Sequence, residues 1–117
     1  MSTEATLAHH LQALTEGIEA ILSDYTEESI LFTDNGVKRG LDGVRTHFEG
    51  FIKNYSPPKL FEALKFLRKD VEGEVAYTLW TAEPYIKMGT DTFVVREGKI
   101  LVHTFATFIP NPFPLVP

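Results

Sequence analysis

Two residues in the second half of the chain, Asp91 and His103, have side chains suited to proton transfer. Asp91 lies between two threonines in an otherwise apolar stretch. A carboxylate buried there must be paired, hydrogen-bonded or protonated, because uncompensated burial costs several kcal/mol. Histidine is the readiest proton carrier near neutral pH, so His103 beside an acid would form an acid–base dyad. Simpler roles fit as well: a solvated carboxylate at a strand end, a lysine partner, a structural histidine, or a cross-strand ion pair.

A predicted β-hairpin must position both residues. Two runs rich in β-branched and aromatic residues, 90–95 and 100–109, flank a short connection that contains Gly98. Alternation places one set of side chains on one face of each strand: Asp91, Phe93 and Val95 on the first, and Leu101, His103, Phe105 and Thr107 on the second. The two sets share a face only in one register of the turn, and the sequence alone does not determine that register.

The composition narrows the class of protein. The chain has 117 residues, a net charge of −5, 44% hydrophobic and 23% charged residues, as expected of one globular domain over residues 1–117. There is no basic patch for nucleic acid, and no cysteine for a disulfide, a thiolate zinc site or a nucleophile. No apolar run approaches ~18 residues, and the first residues do not resemble a signal peptide, so we expect a cytoplasmic protein without a membrane partner.

Hydrophobic spacing predicts three helices, over residues 4–15, Ile18–Leu22 and 42–55. The third is the clearest, because its apolar residues form one stripe: Val44, Phe48, Phe51, Ile52 and Tyr55. We expect Pro57 and Pro58 to end it. Strands are predicted over residues 29–33, over Val75–Ala82, and from Tyr85 into the hairpin. Residues 60–71 suit either a helix or a strand, and the β-rich sequence after them favours a strand.

Helices followed by antiparallel strands indicate an α+β fold. We expect a cone-shaped, curved, mixed or antiparallel sheet wrapped around the long helix, with the N-terminal helices beside it. A curved sheet covered by a helix encloses a concavity, so a central pocket is expected. The proline-rich tail, residues 110–117, cannot extend the sheet and is expected to lie along a surface of the domain or of a partner.

Several short segments, in this order and spacing, resemble the nuclear transport factor 2-like superfamily, in its SnoaL-like branch. They cover nearly the whole chain up to about Ile109: residues 18–22 and 24–28, 40–45 with Phe48, 79–82, 91–93, and 98–100 with His103. The resemblance implies the fold and no single activity. The superfamily contains isomerases, cyclases, dehydratases, epoxide hydrolases and non-catalytic binding domains.

The resemblance also implies roles for individual residues. Ketosteroid isomerases, which are similar through the same hairpin, have at the position of Asp91 a protonated acid that donates to a developing oxyanion. The positions of His103, Phe105, Thr107 and Tyr25 line the pocket in those proteins.

Two residues that the related reactions need are missing. The general base of the isomerases falls at Thr33, and the following Asp34 is expected on the opposite face. The acid of the SnoaL-type polyketide cyclases falls at about Phe108. The resemblance therefore supports the fold more than either reaction.

Four further aromatic residues are candidates for the pocket: Phe48, Phe93, Tyr77 and Trp80. Phe48 is most simply a core residue. Tyr77 and Trp80 have opposite parity in one strand, so only one of them faces the pocket unless a bulge intervenes. The other is expected on the outer sheet face.

The three remaining histidines are expected near solvent, His9 and His10 at the surface or rim of the first helix and His47 exposed on the long helix. Their spacing does not suggest a metal site.

The sequence therefore predicts a protein that binds a small hydrophobic or polycyclic molecule. The same prediction extends to an isomerase-, cyclase- or dehydratase-like reaction, in which Asp91 or His103 transfers a proton and Tyr25 orients the ligand. A non-catalytic binding or protein-interaction domain is the alternative. No cofactor is implied, because the chain has no glycine-rich phosphate loop, Walker lysine or metal cluster. A homodimer through the apolar outer sheet face is expected.

Overall fold

The computed structural model describes residues 1–55, 60 and 62–108. It contains three helices, α1 (Thr3–Ala13), α2 (Ile18–Leu22) and α3 (Gly40–Tyr55). Its six strands are β1 (Tyr25–Thr33), β2 (Gly36–Arg39), β3 (Lys65–Glu72), β4 (Val75–Ala82), β5 (Ile86–Arg96) and β6 (Lys99–Phe108). The expected helix end at Pro57-Pro58 and the proline-rich tail lie outside the described residues.

The strands form one curved, open sheet in the order β2-β1-β6-β5-β4-β3. Strands β1 and β6 are parallel and every other pair is antiparallel, so the sheet is mixed. The predicted α+β class is confirmed. Strand β2 was not predicted, because four residues with one apolar side chain give no detectable alternation. Within residues 60–71 the preference for a strand is right only from Lys65 onward, because the described residues 60, 62 and 63 are helical.

The hairpin register puts the two sets of candidate side chains on the same face. Asp91 pairs with Phe105, and Phe93 pairs with His103. One member of the predicted set, Leu101, is wrong, because the register shifts beside Val95, which pairs with Ile100 instead. Ile100 is therefore the buried core residue, and Leu101 is only half-buried.

The helices cover the concave face of the sheet. Val44 and Phe48 of α3 are buried in the main core cluster, and Phe51 and Ile52 are half-buried one turn further along. Helix α1 begins at a cap in which the Ser2 hydroxyl accepts a hydrogen bond from the backbone N–H of Ala5, at 3.0 Å. No helix among the described residues is both long and apolar enough to span a membrane.

Gly89 in β5 allows the only tryptophan to lie flat on the sheet. Residue 89 pairs with Trp80, and a Cβ atom there would overlap the indole ring. In this position the indole N–H reaches Asp91 and donates to its Oδ2 at 2.7 Å. Glycine at residue 89 is therefore a steric requirement of the tryptophan position.

We expect Gly89→Ala to lower the free energy of unfolding by about 1–3 kcal/mol, because the added methyl group displaces the indole. Gly50→Ala is the matched control. Among the described residues, nothing beyond the chain neighbours and the backbone of α3 lies within 4 Å of a Cβ at residue 50, so this change should stabilise by about 0.5–1 kcal/mol. The free energies of unfolding of both variants are measured by urea unfolding, with tryptophan fluorescence as the signal. Equal stability of Gly89→Ala and wild type would contradict the steric account.

Candidate functional site

An apolar cavity lies between the helices and the concave face of the sheet. Its volume is about 40 Å³. The described side chains that line it come from all three helices, from β3 to β6 and from the segment before β3: His10, Leu11, Leu14, Ile21, Phe48, Phe51, Ile52, Leu60, Leu64, Phe66, Trp80, Asp91, Phe93, His103 and Phe105. Seven of these side chains are half-buried: Leu11, Leu14, Phe51, Ile52, Leu64, Phe66 and Phe105.

A chain of buried hydrogen bonds runs along one wall of the cavity. The Tyr25 hydroxyl lies 2.8 Å from Nδ1 of His103, and Nε2 of His103 lies 2.7 Å from Oδ1 of Asp91. The other carboxylate oxygen, Oδ2, accepts from the Thr78 hydroxyl at 3.0 Å and from the Trp80 indole at 2.7 Å. Both oxygens of Asp91 are therefore occupied by donors.

These donors keep Asp91 ionised. Burial alone would raise the pKa of Asp91, but the hydrogen bond and charge of His103, together with the bond from Trp80, outweigh burial and lower it. A carboxylate that accepts three hydrogen bonds has no proton to donate. The oxyanion-donor role implied by the resemblance to ketosteroid isomerases does not agree with this geometry.

Tyr25 lies behind His103 and is not one of the residues lining the cavity, which differs from the expected pocket position. Burial, reinforced by the charges of Asp91 and Asp24, raises the pKa of the Tyr25 hydroxyl well above its ordinary value. The hydroxyl therefore stays protonated and can donate to Nδ1 of His103. With Nε2–H donating to Asp91, a neutral His103 has both ring nitrogens engaged.

Trp80 and Tyr77 lie on opposite faces of the sheet. Trp80 is buried and lines the cavity, whereas Tyr77 is half-buried on the outer face and does not contribute to the lining. The ligand-binding role predicted for Tyr77 is therefore wrong for this cavity, because its parity in β4 is opposite to that of Trp80. Phe48, Phe93 and Phe105 all line the cavity as expected.

Thr107 lies in a second, more polar cleft of about 330 Å³ rather than in the apolar cavity. Its hydroxyl is 3.3 Å from Oδ2 of Asp34. Thr33 and Asp34 both line this cleft, because the strand ends at Thr33 and the alternation expected for Asp34 stops there. Phe51 and Phe105 line both the cleft and the apolar cavity.

His47, expected to be exposed, also lines the polar cleft and is half-buried. Its ring stands edge-on to Phe105, with centroids 4.7 Å apart. Burial, followed by the charge of His103, lowers the pKa of His47 to about 4.

Sequence reasoning missed His10, which was expected near solvent but is only 3% exposed. It lines the apolar cavity, and its Nδ1 has no hydrogen-bond partner within the described residues. Burial, followed by the charge of His103, lowers the pKa of His10 to about 3. Its neighbour His9 points elsewhere and contacts the buried Asp24, with 2.7 Å between Nδ1 and Oδ1.

A signal for His10 was present in the sequence. The buried residues of α1 are spaced at i, i+3, i+4, i+7 and i+10: Thr3, Thr6, Leu7, His10 and Ala13. The apolar residues alone indicated a rotated face, because two of the inward positions are threonines. Within the described part of the chain, no cluster of three or more histidine, aspartate or glutamate side chains could hold a metal ion.

Comparison with known proteins supports the fold and no more. No family profile and no curated protein matches the sequence. Among solved structures, the chain is similar to a SnoaL-like protein of unknown function from Burkholderia thailandensis E264, with a TM-score of 0.74 and 11% identity over 90% of this chain and 93% of that one.

Two further structures agree. A nuclear transport factor 2-like protein of unknown function from Burkholderia xenovorans LB400 has a TM-score of 0.71 and 17% identity, over 97% of this chain and 88% of that one. A candidate polyketide cyclase from Sinorhizobium meliloti has a TM-score of 0.71 and 13% identity, over 86% and 93% of the two chains. The protein therefore has the nuclear transport factor 2-like fold. At these identities the likeness carries no activity.

The buried neutral His10 predicts a stability that rises with pH. Between about pH 6.5 and about pH 4.5 the unfolded chain binds a proton at this residue that the folded chain excludes, because the pKa of His10 is lowered in the folded state. We expect stability to fall by about 1.4 kcal/mol for each unit of pH decrease from this residue alone. His10→Leu should remove that share of the slope.

Urea unfolding at several pH values measures the slope in both proteins. Ala5→Leu is the control, because residue 5 is exposed on the same helix and the change removes no titratable group. Parallel curves for wild type and His10→Leu would rule out the burial of a neutral imidazole at residue 10.

Proposed function

We propose that this protein binds a small, mostly apolar molecule in the cavity between α1, α3 and the sheet. The observation that carries the proposal is the lining itself. Aliphatic and aromatic side chains form nearly all of it, and a few polar groups, His10, Asp91, His103 and the indole N–H of Trp80, converge on the same space. Ligand sites typically combine a predominantly apolar lining with a few polar groups that fix orientation.

The volume is small for a ligand. A cavity of about 40 Å³ has room for roughly three water molecules when each needs about 10–15 Å³ of this space. A single-ring compound would therefore have to displace some of the half-buried lining side chains. A polycyclic ligand, the larger of the two sizes that the sequence suggested, would have to displace many more.

Binding is favoured over proton transfer because the acid–base groups are already engaged. Both nitrogens of His103 and both oxygens of Asp91 have hydrogen-bond partners from the protein. An additional proton on Nδ1 of His103 would reverse its hydrogen bond with Tyr25, whose hydroxyl would then have to accept. A ligand can occupy the cavity with this network intact.

The likeness to a candidate polyketide cyclase does not support a cyclase reaction in this protein, because the residues that the related reactions need are missing. At the approximate position of the cyclase acid this chain has Phe108, which is 54% exposed. At the position of the isomerase base it has Thr33, which lines the polar cleft. An interaction domain without a ligand is less favoured, because its core would be expected to be filled at this place.

Wild-type protein should bind single-ring compounds such as toluene and phenol, with a saturable increase in melting temperature. Ile52→Trp should weaken this binding at least tenfold, because Ile52 lines the cavity and a larger side chain there takes up the space of the ligand. Lys53→Trp is the matched control, because Lys53 follows Ile52 in α3, is exposed and is not one of the lining residues. Titration calorimetry measures the affinities.

Two outcomes of that experiment would contradict the proposal. One is a wild-type protein that binds none of the ring compounds. The other is an equal loss of affinity in both tryptophan variants, which would mean that the binding site lies elsewhere.

We also propose that a second copy of the chain covers the outer sheet face. Away from the strand ends, where Arg96 and Lys99 lie, the outward positions of the three strands β4, β5 and β6 carry no charged residue: Val75, Tyr77, Leu79, Thr81, Thr90, Thr92, Val94, Val102, Thr104 and Ala106. These positions would contribute no charged side chain to an interface between two chains of net charge −5.

Native mass spectrometry should therefore give twice the 13.2 kDa mass of one chain. Thr92→Lys, which puts a charge at the centre of the face, should give the monomer. Glu97→Lys, in the exposed turn after β5, should leave the dimer intact. A monomeric wild-type protein at micromolar concentration would disprove the dimer, without bearing on ligand binding.

A further inference from the structure

His10 is a polar side chain of the apolar cavity whose hydrogen-bonding capacity the described residues do not use. It is 3% exposed, and its Nδ1 is buried without a partner. Four rings surround the imidazole in edge-on geometry: Phe93 at 5.2 Å, Tyr25 at 5.9 Å, and Phe48 and His103 at 6.0 Å between centroids. These rings hold the imidazole against the cavity and offer it little hydrogen bonding.

An unpartnered buried ring nitrogen is costly to the folded protein. Nearly all buried polar groups have a hydrogen-bond partner, and leaving one without a partner destabilises the folded state. The other polar side chains of the cavity wall, Asp91, His103 and Trp80, satisfy one another. His10 lines the same cavity, so a ligand there could supply the hydrogen bond that the described residues do not.

The chemistry of the imidazole limits the kind of group that it can bind. Because its pKa is lowered to about 3, His10 is neutral at physiological pH and has one N–H donor and one acceptor nitrogen. A hydroxyl group is also both a donor and an acceptor, so it matches either tautomer of the ring. A half-turn of the ring exchanges Nδ1 with a carbon atom at the same place, so either side of the ring can face the ligand.

The charge of the ligand is limited by its surroundings. The carboxylate of Asp91 lines the same cavity and would repel an anion, and its oxygens already accept three hydrogen bonds. A cation would lose its hydration among aliphatic and aromatic side chains with no free carboxylate oxygen to receive it. An uncharged ligand avoids both costs.

We propose that His10 is the ligand-binding residue of the cavity, and that its ligand is a small, uncharged compound carrying a hydroxyl group. This inference rests on the function proposed above, and it names the polar contact and the ligand class for the same site. The hydroxyl hydrogen-bonds to His10 while the apolar part of the ligand lies among Phe48, Phe93 and Phe105. The Tyr25–His103–Asp91 chain stays intact and forms the wall.

Phenol and toluene test the inference, because they differ by a hydroxyl in place of a methyl group. The quantity to compare is the ratio of the phenol affinity to the toluene affinity, measured by titration calorimetry on the full-length protein. His10→Leu should lower this ratio at least tenfold, because the variant leaves the phenol hydroxyl unpaired in an apolar site. His10→Asn keeps a polar group near the position of Nδ1, so it should retain part of the ratio.

His9→Gln is the matched control, and its ratio should equal that of wild type. His9 lies on the same helix but contacts Asp24 outside the cavity. If His10→Leu does not fold, nitrogen-15 resonances of the His10 ring in the wild-type protein replace it. Phenol should shift the ring nitrogen resonances, and toluene should not.

The outcomes separate the two proposals. If neither compound binds wild type, the proposed function is wrong and the inference falls with it. If both bind and the ratio is the same in wild type and His10→Leu, or if the His10 ring nitrogens do not respond to phenol, the inference is wrong and ligand binding stands.

Discussion

The carboxylate of Asp91 is the constraint on which the rest of the site depends. A buried charge is tolerated only when donors surround it, and here the donors come from both neighbouring strands: Thr78 and Trp80 from β4, and His103 from β6. Through His103 the network continues to Tyr25 on β1. The hydrogen-bond network of Asp91 thus connects four strands of the sheet. Gly89, opposite Trp80, leaves the space in which the indole reaches the carboxylate.

The sequence predicted the hairpin well and the chemistry of its residues less well. Alternation was enough to group Asp91 with Phe93, and His103 with Phe105, because strand periodicity holds wherever the pairing is regular. The register that puts both groups on one face was left open by the sequence and is seen only in the structure. Alternation failed at Leu101, where the register shifts. The protonation state of Asp91 could not be predicted at all. Its pKa depends on hydrogen-bond donors from the two neighbouring strands, and the sequence does not show how close those donors lie to the carboxylate.

His10 shows a different limit of sequence reasoning. The apolar residues of α1 suggested one face, and the true inward face includes two threonines and a histidine. Tertiary packing decided the rotation of this helix against a weak apolar pattern. For this reason the sequence predicted His10 at the surface or rim of the helix, although it provides the unused hydrogen-bonding group of the cavity.

The position of β6 in the sheet has a consequence for how the protein is made. This strand is the last of the described strands in the chain, yet it lies in the middle of the sheet between β1 and β5. While a ribosome is still producing the first hundred residues, the edges of β1 and β5 have no partner, and neither the wall of the cavity nor the acceptor for Tyr25 exists. The sheet can be completed only after residues 99–108 have left the exit tunnel. Until then the unpaired edges of β1 and β5 are exposed in the nascent chain and can pair with other chains, which leads to aggregation.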